Sequence, residues 1–228
     1  MKLTSLILLS VTVLGLNRTS AALITRSQTF TENTVLKDGT GTGDDFTRNS
    51  TRFSDLPGIV INSLTVSLDI TGGFNGHLYA FLSKDAGFTV LLNRPGREAG
   101  RLGGYIDPGM NITLADGSPD VHLYTPYNQV TRLTGTWSPD GRETSPTDTM
   151  SSDARTAYLL SSFGGVTADG VWTLYVEDVV SGQEATLNSW TLNLEVDTVP
   201  EPGAMALSAV VLCGVAGYAA RRYRRRMV

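Results

Sequence analysis

The strongest constraint on this chain is a period-two alternation. From Leu64 to Ile70 the even positions are Leu64, Val66, Leu68 and Ile70, all aliphatic, while the odd ones are Thr65, Ser67 and Asp69. A helix would scatter these side chains around its axis, whereas a strand puts them all on one face. The pattern returns twice. Trp172, Leu174 and Val176 alternate with Thr173, Tyr175 and Glu177, and Trp190, Leu192, Leu194 and Val196 alternate with Thr191, Asn193 and Glu195. Each segment predicts a strand with one face on a core and the other toward water. Trp172, Leu174, Trp190 and Leu192 fall on the core side and are expected to be structural.

The rest of the middle region agrees. His77 to Ser83 and Phe88 to Leu92 read as a pair of strands joined around Lys84-Asp85-Ala86-Gly87. Ser181-Gly182 makes the link between the last two strands either a hairpin or a sheet-crossing connection. Gly, Pro, Asn, Asp and Ser recur between these segments, and helical periodicity is hard to find, so the fold class is all-β, a β-sandwich. Gly39 to Asp45 and Gly135 to Asp153 read as loops. The second is long for a connection, which makes it a surface excursion or a segment pinned by an ion.

The two ends have a different composition. Met1-Lys2, the apolar stretch Leu3 to Leu16 and the small residues up to Ala22 describe a signal peptide, with cleavage after Ala21 or Ala22. At the other end Val199-Pro200-Glu201-Pro202-Gly203 precedes an uncharged run from Ala204 to Ala220, followed by Arg221, Arg222, Arg224, Arg225 and Arg226. That run of 17 residues is just long enough to cross a bilayer. The arginines would hold its far end in the cytoplasm. The expected organisation is a signal peptide at 1–22, an ectodomain at 23–198 and a tail at 199–228. The tail divides into a Pro-Glu-Pro box (199–203), a transmembrane helix (204–220) and a basic end (221–228).

This three-part tail resembles the PEP-CTERM sorting signal of Gram-negative bacteria. The resemblance implies recognition by exosortase, a membrane-embedded processing enzyme, with cleavage near Pro200, Glu201 and Pro202. It implies export across the inner membrane, transient anchoring, then release to the cell surface or medium, in the company of exopolysaccharide and biofilm matrix.

A second resemblance lies in the ectodomain. Leu159-Leu160-Ser161-Ser162-Phe163-Gly164-Gly165 leads into Gly170-Val171-Trp172-Thr173-Leu174, which is followed by Asp178 and then by Leu187-Asn188-Ser189-Trp190-Thr191-Leu192. This is similar to the P domain, or homo B domain, of subtilisin-like proprotein convertases, over roughly residues 44 to 196. Where that family usually has Asp-Leu after the early strand, this chain has His77-Leu78. The resemblance implies a jelly-roll-like sandwich of about eight strands, similar to galactose-binding-like folds. It also implies a domain that accompanies a catalytic domain without being one.

Charge and motifs narrow the chemistry. The chain has 228 residues and a formal net charge of −4, but Lys2, Arg18 and the five terminal arginines all lie in the end segments. Residues 23–201, counting Glu201 as retained, hold 11 basic residues against 22 acidic ones, a net of −11. That argues against nucleic acid and anionic lipid as partners and favours divalent cations. The single cysteine, Cys213, excludes an internal disulfide and a Cys-cluster zinc site. No Gly-x-Ser-x-Gly elbow or His-Glu-x-x-His motif occurs, and a subtilase triad has no room, so the expectation is a non-enzyme. The Gly39 to Gly43 run lacks the Lys-Ser/Thr ending of a phosphate loop.

Two ligand classes remain. Calcium takes six to eight oxygens, and the loop acids Asp107, Asp116, Asp120 and Asp178 are the candidates. A saccharide would use aromatic faces, with Tyr124, Tyr127 and Trp137 as candidate contacts. A separate peptidase is the further candidate partner.

Overall fold

The computed structural model describes residues 23–39, 47–54, 56, 59–125, 130–197 and 222. The signal-peptide segment, the 40–45 part of the first loop, Tyr127, the Pro-Glu-Pro box, the 204–220 run and the remaining terminal arginines lie outside the described residues.

Among the described residues nine strands form two sheets. They are β1 (Leu23–Val35), β2 (Thr47–Phe53), β3 (Ile61–Gly72), β4 (Leu78–Lys84), β5 (Gly87–Asn93), β6 (Gly109–Leu114), β7 (Leu133–Trp137), β8 (Gly170–Asp178) and β9 (Ala185–Asp197). A one-turn helix, α1 (Leu159–Phe163), precedes β8. The first sheet runs β1-β9-β3-β6-β7 and the second β2-β8-β4-β5. All pairs are antiparallel except β6 and β7, which run parallel. The chain is an all-β sandwich. Its nine described strands agree with the about eight implied by the resemblance, and β1 lies before the 44–196 region that carries it.

Alternation explains which faces pack. Leu64, Val66, Leu68 and Ile70 of β3 are at most 5% exposed, and Leu187, Trp190, Leu192, Leu194 and Val196 of β9 at most 1%. They join Leu78, Ala80, Leu82, Trp172, Leu174 and Val176 of the second sheet in one buried cluster. Each such side chain contributes about 1.5–3 kcal/mol by leaving water. Trp172 stacks obliquely on Phe163, with ring centroids 5.0 Å apart, and its indole N–H donates to the Ala168 carbonyl (3.2 Å). Trp190 packs on Phe30 of β1 (4.9 Å).

Two readings are corrected. Glu177, on the polar set of β8, is fully buried rather than facing water. The segment read as a loop from Gly135 begins inside β7, where Gly135 pairs with Ile112. The link between β8 and β9 crosses from one sheet to the other, and β4 and β5 form the hairpin expected around Asp85, which takes a left-handed φ of 51° at the turn.

From Ser138 to Tyr158 the chain has no regular structure, yet it is held tightly. Three buried arginines hold it. Arg97 donates to the carbonyls of Thr147 (2.7 Å) and Thr149, Arg94 to that of Pro146 (3.4 Å), and Arg142 to that of Ser151 (3.1 Å). Guanidinium groups thus hold this long segment against the sandwich. Each supplies several planar donors to carbonyls that would otherwise be buried without partners.

Candidate functional site

A cavity of about 270 Å³ opens beside β7, bordered by Asp107, Tyr124, Thr125, Arg132, Thr134 and Trp137, among others. Its walls follow from the local fold. Asp107 lies just before β6, and Tyr124 ends a single 3-10 turn (Val121–Leu123) whose first N–H groups are capped by Asp120. Arg132 fastens the entry to β7: its Nε donates to the Ile70 carbonyl (3.1 Å) and its Nη2 to the Met110 carbonyl (2.6 Å) and to Asp69. Trp137, half-buried at the end of β7, donates its indole N–H to the Thr134 carbonyl (2.9 Å).

Tyr124 is not the open loop aromatic that its sequence neighbours suggested. It is 2% exposed, its hydroxyl donates to Asp107 (2.6 Å) and accepts from the Asn75 amide (3.0 Å), and its ring lies 4.4 Å from Tyr105 and 5.9 Å from Trp137. Burial first, and the Asp107 carboxylate second, push its phenol well above the usual range. Tyr124 is therefore part of the cavity wall, and Trp137 is the aromatic nearer solvent. Sequence reasoning paired these two with Tyr127 but missed Arg132 and Thr134, which no motif marks.

The four acids named for calcium do not come together. Asp107 holds Tyr124. Asp116 accepts from the backbone N–H groups of Leu159 (3.0 Å) and Leu160 (2.7 Å). Asp120 pairs with Arg142 (2.9 Å), and Asp178 accepts from the Val180 N–H (3.3 Å). Among the described residues no three His, Cys, Asp or Glu side chains gather as a metal would require. Each of the four carboxylates accepts from a protein donor, while the Asp178 Oδ2 atom is buried without a hydrogen-bond partner among the described residues.

Both histidines are internal. His122 is fully buried, with Nδ1 2.8 Å from Asp140 and Nε2 3.0 Å from the Arg97 carbonyl, so both ring nitrogens face acceptors. Asp140 also receives Arg142 (3.1 Å). Burial alone would lower the Arg142 guanidinium, but Asp120 and Asp140 outweigh it and hold the group above its usual value. His77 sits in the 3-10 turn before β4, 3.7 Å from Asp178. Burial, then Arg94, lowers its imidazole, while burial raises the Asp178 carboxyl to about 7. Arg94 itself is drawn down to about 10 by burial and by Arg97.

Among solved structures, the chain is similar to a serine protease of Aeromonas sobria in complex with its chaperone (15% identity, TM-score 0.46, 80% of this chain and 28% of the other). It is also similar to the same protease alone (14%, TM-score 0.42, 77% and 27%). The chain thus spans less than a third of the length of these structures. No curated protein matches it. The proprotein convertase P-domain matches residues 109–194, and the PEP-CTERM protein-sorting motif matches residues 198–226. The P domain is a non-catalytic domain of the convertases, and the sorting motif marks a chain for export and surface display in Gram-negative bacteria. The chain is an all-β sandwich whose residues 109–194 match the proprotein convertase P-domain, followed by a PEP-CTERM sorting motif at 198–226.

Proposed function

We propose that this is a non-enzymatic module, exported across the inner membrane, held there briefly by its tail and released by exosortase to the cell surface or surrounding matrix. The observation that carries the reading is adjacency: the sorting motif begins at residue 198, four residues after the P-domain match ends at 194. A sorting tail joined so closely to one folded module makes that module the cargo. In this reading residues 1–22 are the signal peptide and 23–198 the cargo. Residues 204–220 span the membrane, and Arg221, Arg222, Arg224, Arg225 and Arg226 fix its cytoplasmic end. The net −11 of residues 23–201, counting Glu201 as retained, keeps the cargo soluble and disfavours nucleic acid. Residence in exopolysaccharide or biofilm matrix is the destination that such a tail implies.

The test is the intact mass of the processed protein beside a variant with Pro200, Glu201 and Pro202 all changed to Ala. The wild type is expected to end near the Pro-Glu-Pro box and the variant to keep its tail. An unchanged mature C-terminus in the variant overturns the reading. Association with a separate peptidase is a second reading, supported by the P domain, which in convertases accompanies a catalytic domain. Copurification of a peptidase with the tagged chain from its own cells tests it.

A further inference from the structure

We infer that the cavity beside Trp137 binds one neutral sugar unit of a saccharide chain. This adds a ligand to the surface-display reading and does not depend on where the tail is cut.

Size is the first argument. A space of about 270 Å³ falls just below the roughly 300–1,000 Å³ of pockets for drug-sized molecules, which suits a single ring. Chemistry is the second. Saccharide rings offer one apolar face and a rim of hydroxyls, so their sites combine an aromatic wall with fixed donors and acceptors. Trp137 provides the wall, with its indole N–H already committed to the Thr134 carbonyl, which fixes the ring. Around it the cavity is bordered by the polar residues Thr125, Thr134, Asp107 and Arg132. Arg132 uses Nε and Nη2 on the protein, and among the described residues its Nη1 makes no hydrogen bond, which leaves donors for a hydroxyl.

Charge is the third argument. Arg132 is already paired with Asp69, so it does not present an uncompensated positive charge for an acidic sugar. Asp107 already receives the Tyr124 hydroxyl. The wall is also preorganised. Three Arg132 hydrogen bonds and the parallel β6–β7 pairing fix the cavity before any ligand arrives, which lowers the cost of binding.

The experiment uses the processed protein. Glucose, galactose, mannose and N-acetylglucosamine are each titrated while tryptophan fluorescence and ligand-observed NMR are followed. Saturable binding of at least one, in the millimolar range usual for a single sugar unit, is expected. Trp137→Ala is expected to weaken it by at least about tenfold, the effect of losing one stacking contact. Because that change could disturb packing on Tyr124, Thr134→Trp is the companion. Thr134 is exposed on β7, so a large ring there fills the cavity without entering the core. It is expected to abolish binding at an unchanged melting temperature. Failure of all four sugars to saturate, or binding that survives both substitutions, overturns the proposal. Neither result bears on the processed mass that tests the sorting reading.

Discussion

The sandwich core and the segment from Ser138 to Tyr158 are both firmly held, but by opposite means. In the core, Leu64 to Ile70 and Trp190 to Val196 bury one face of each strand, and the backbone satisfies itself through the ladders of β3 and β9. The irregular segment has no ladder. Its carbonyls are met by Arg94, Arg97 and Arg142, and its carboxylate Asp140 is shared between Arg142 and His122. The core is stabilised by non-directional burial, and so tolerates change where volume is kept. The arginine-held segment depends on directional donors, and so fails locally when one is withdrawn. The cavity lies beside this second kind of structure, where Tyr124 and Asp107 form another buried polar pair.

The largest expected effect is on the core side of this contrast. Trp190→Ala empties a site that is 1% exposed and removes the contact with Phe30, so it should cost about 3–5 kcal/mol in denaturant unfolding, as one cooperative transition. Arg97→Met should cost less, about 1–3 kcal/mol, by leaving the Thr147 and Thr149 carbonyls without their donor. Its signature is new protease cleavage between residues 142 and 153 under conditions where the sheets stay folded. If Arg97→Met instead lowers global stability as much as Trp190→Ala with no local cleavage, the two regions are one cooperative unit and the contrast fails.

A pH titration sharpens the boundary between them. The Asp178 carboxyl is raised from its ordinary 3.8 to about 7, chiefly by burial. A raised carboxyl holds its proton more tightly when folded. Its contribution is thus fully present below about pH 4 and is lost as the pH rises toward 7. Asp178→Asn should flatten the decline in stability between those values, measured by unfolding across the range. The smallest effect belongs to the surface. Arg101 and Glu98 lie 3.3 Å apart with side chains 34% and 42% exposed, and Glu98→Gln should change stability by less than about 0.5 kcal/mol.

How much was legible in the sequence depends on how burial is distributed along each strand. β3 and β9 announce themselves because one face is dry and the other partly exposed, whereas β8 keeps the alternation in its sequence although Thr173 and Glu177 are buried as well. β1 does not: its residues alternate between exposed and half-buried, since it lies at the sheet edge with its backbone paired to β9 on one side. Its Thr, Ser and Gln residues therefore show no apolar period. β7 was missed because Gly135 at its centre looks like punctuation, whereas here it takes a φ of 103° inside a parallel pair. At the candidate site Trp137 and Tyr124 stood out as aromatics, but their different exposure was invisible. Arg132 and Thr134 carry no motif, and they matter only because β7 lies beside β6.

The sequence by itself determined the all-β class, the P-domain and sorting-tail resemblances and the separation of charge between ends and middle. These rest on local order: periodicity, short motifs and the position of residues along the chain. Only the tertiary structure decided that Asp107, Asp116, Asp120 and Asp178 serve four different donors, that Arg94 and Arg97 hold a segment some 50 residues away, and that a cavity forms beside Trp137. Those contacts join residues distant in sequence. A side chain's partners, and hence its availability to a ligand, follow from which strands become neighbours, not from the residues beside it.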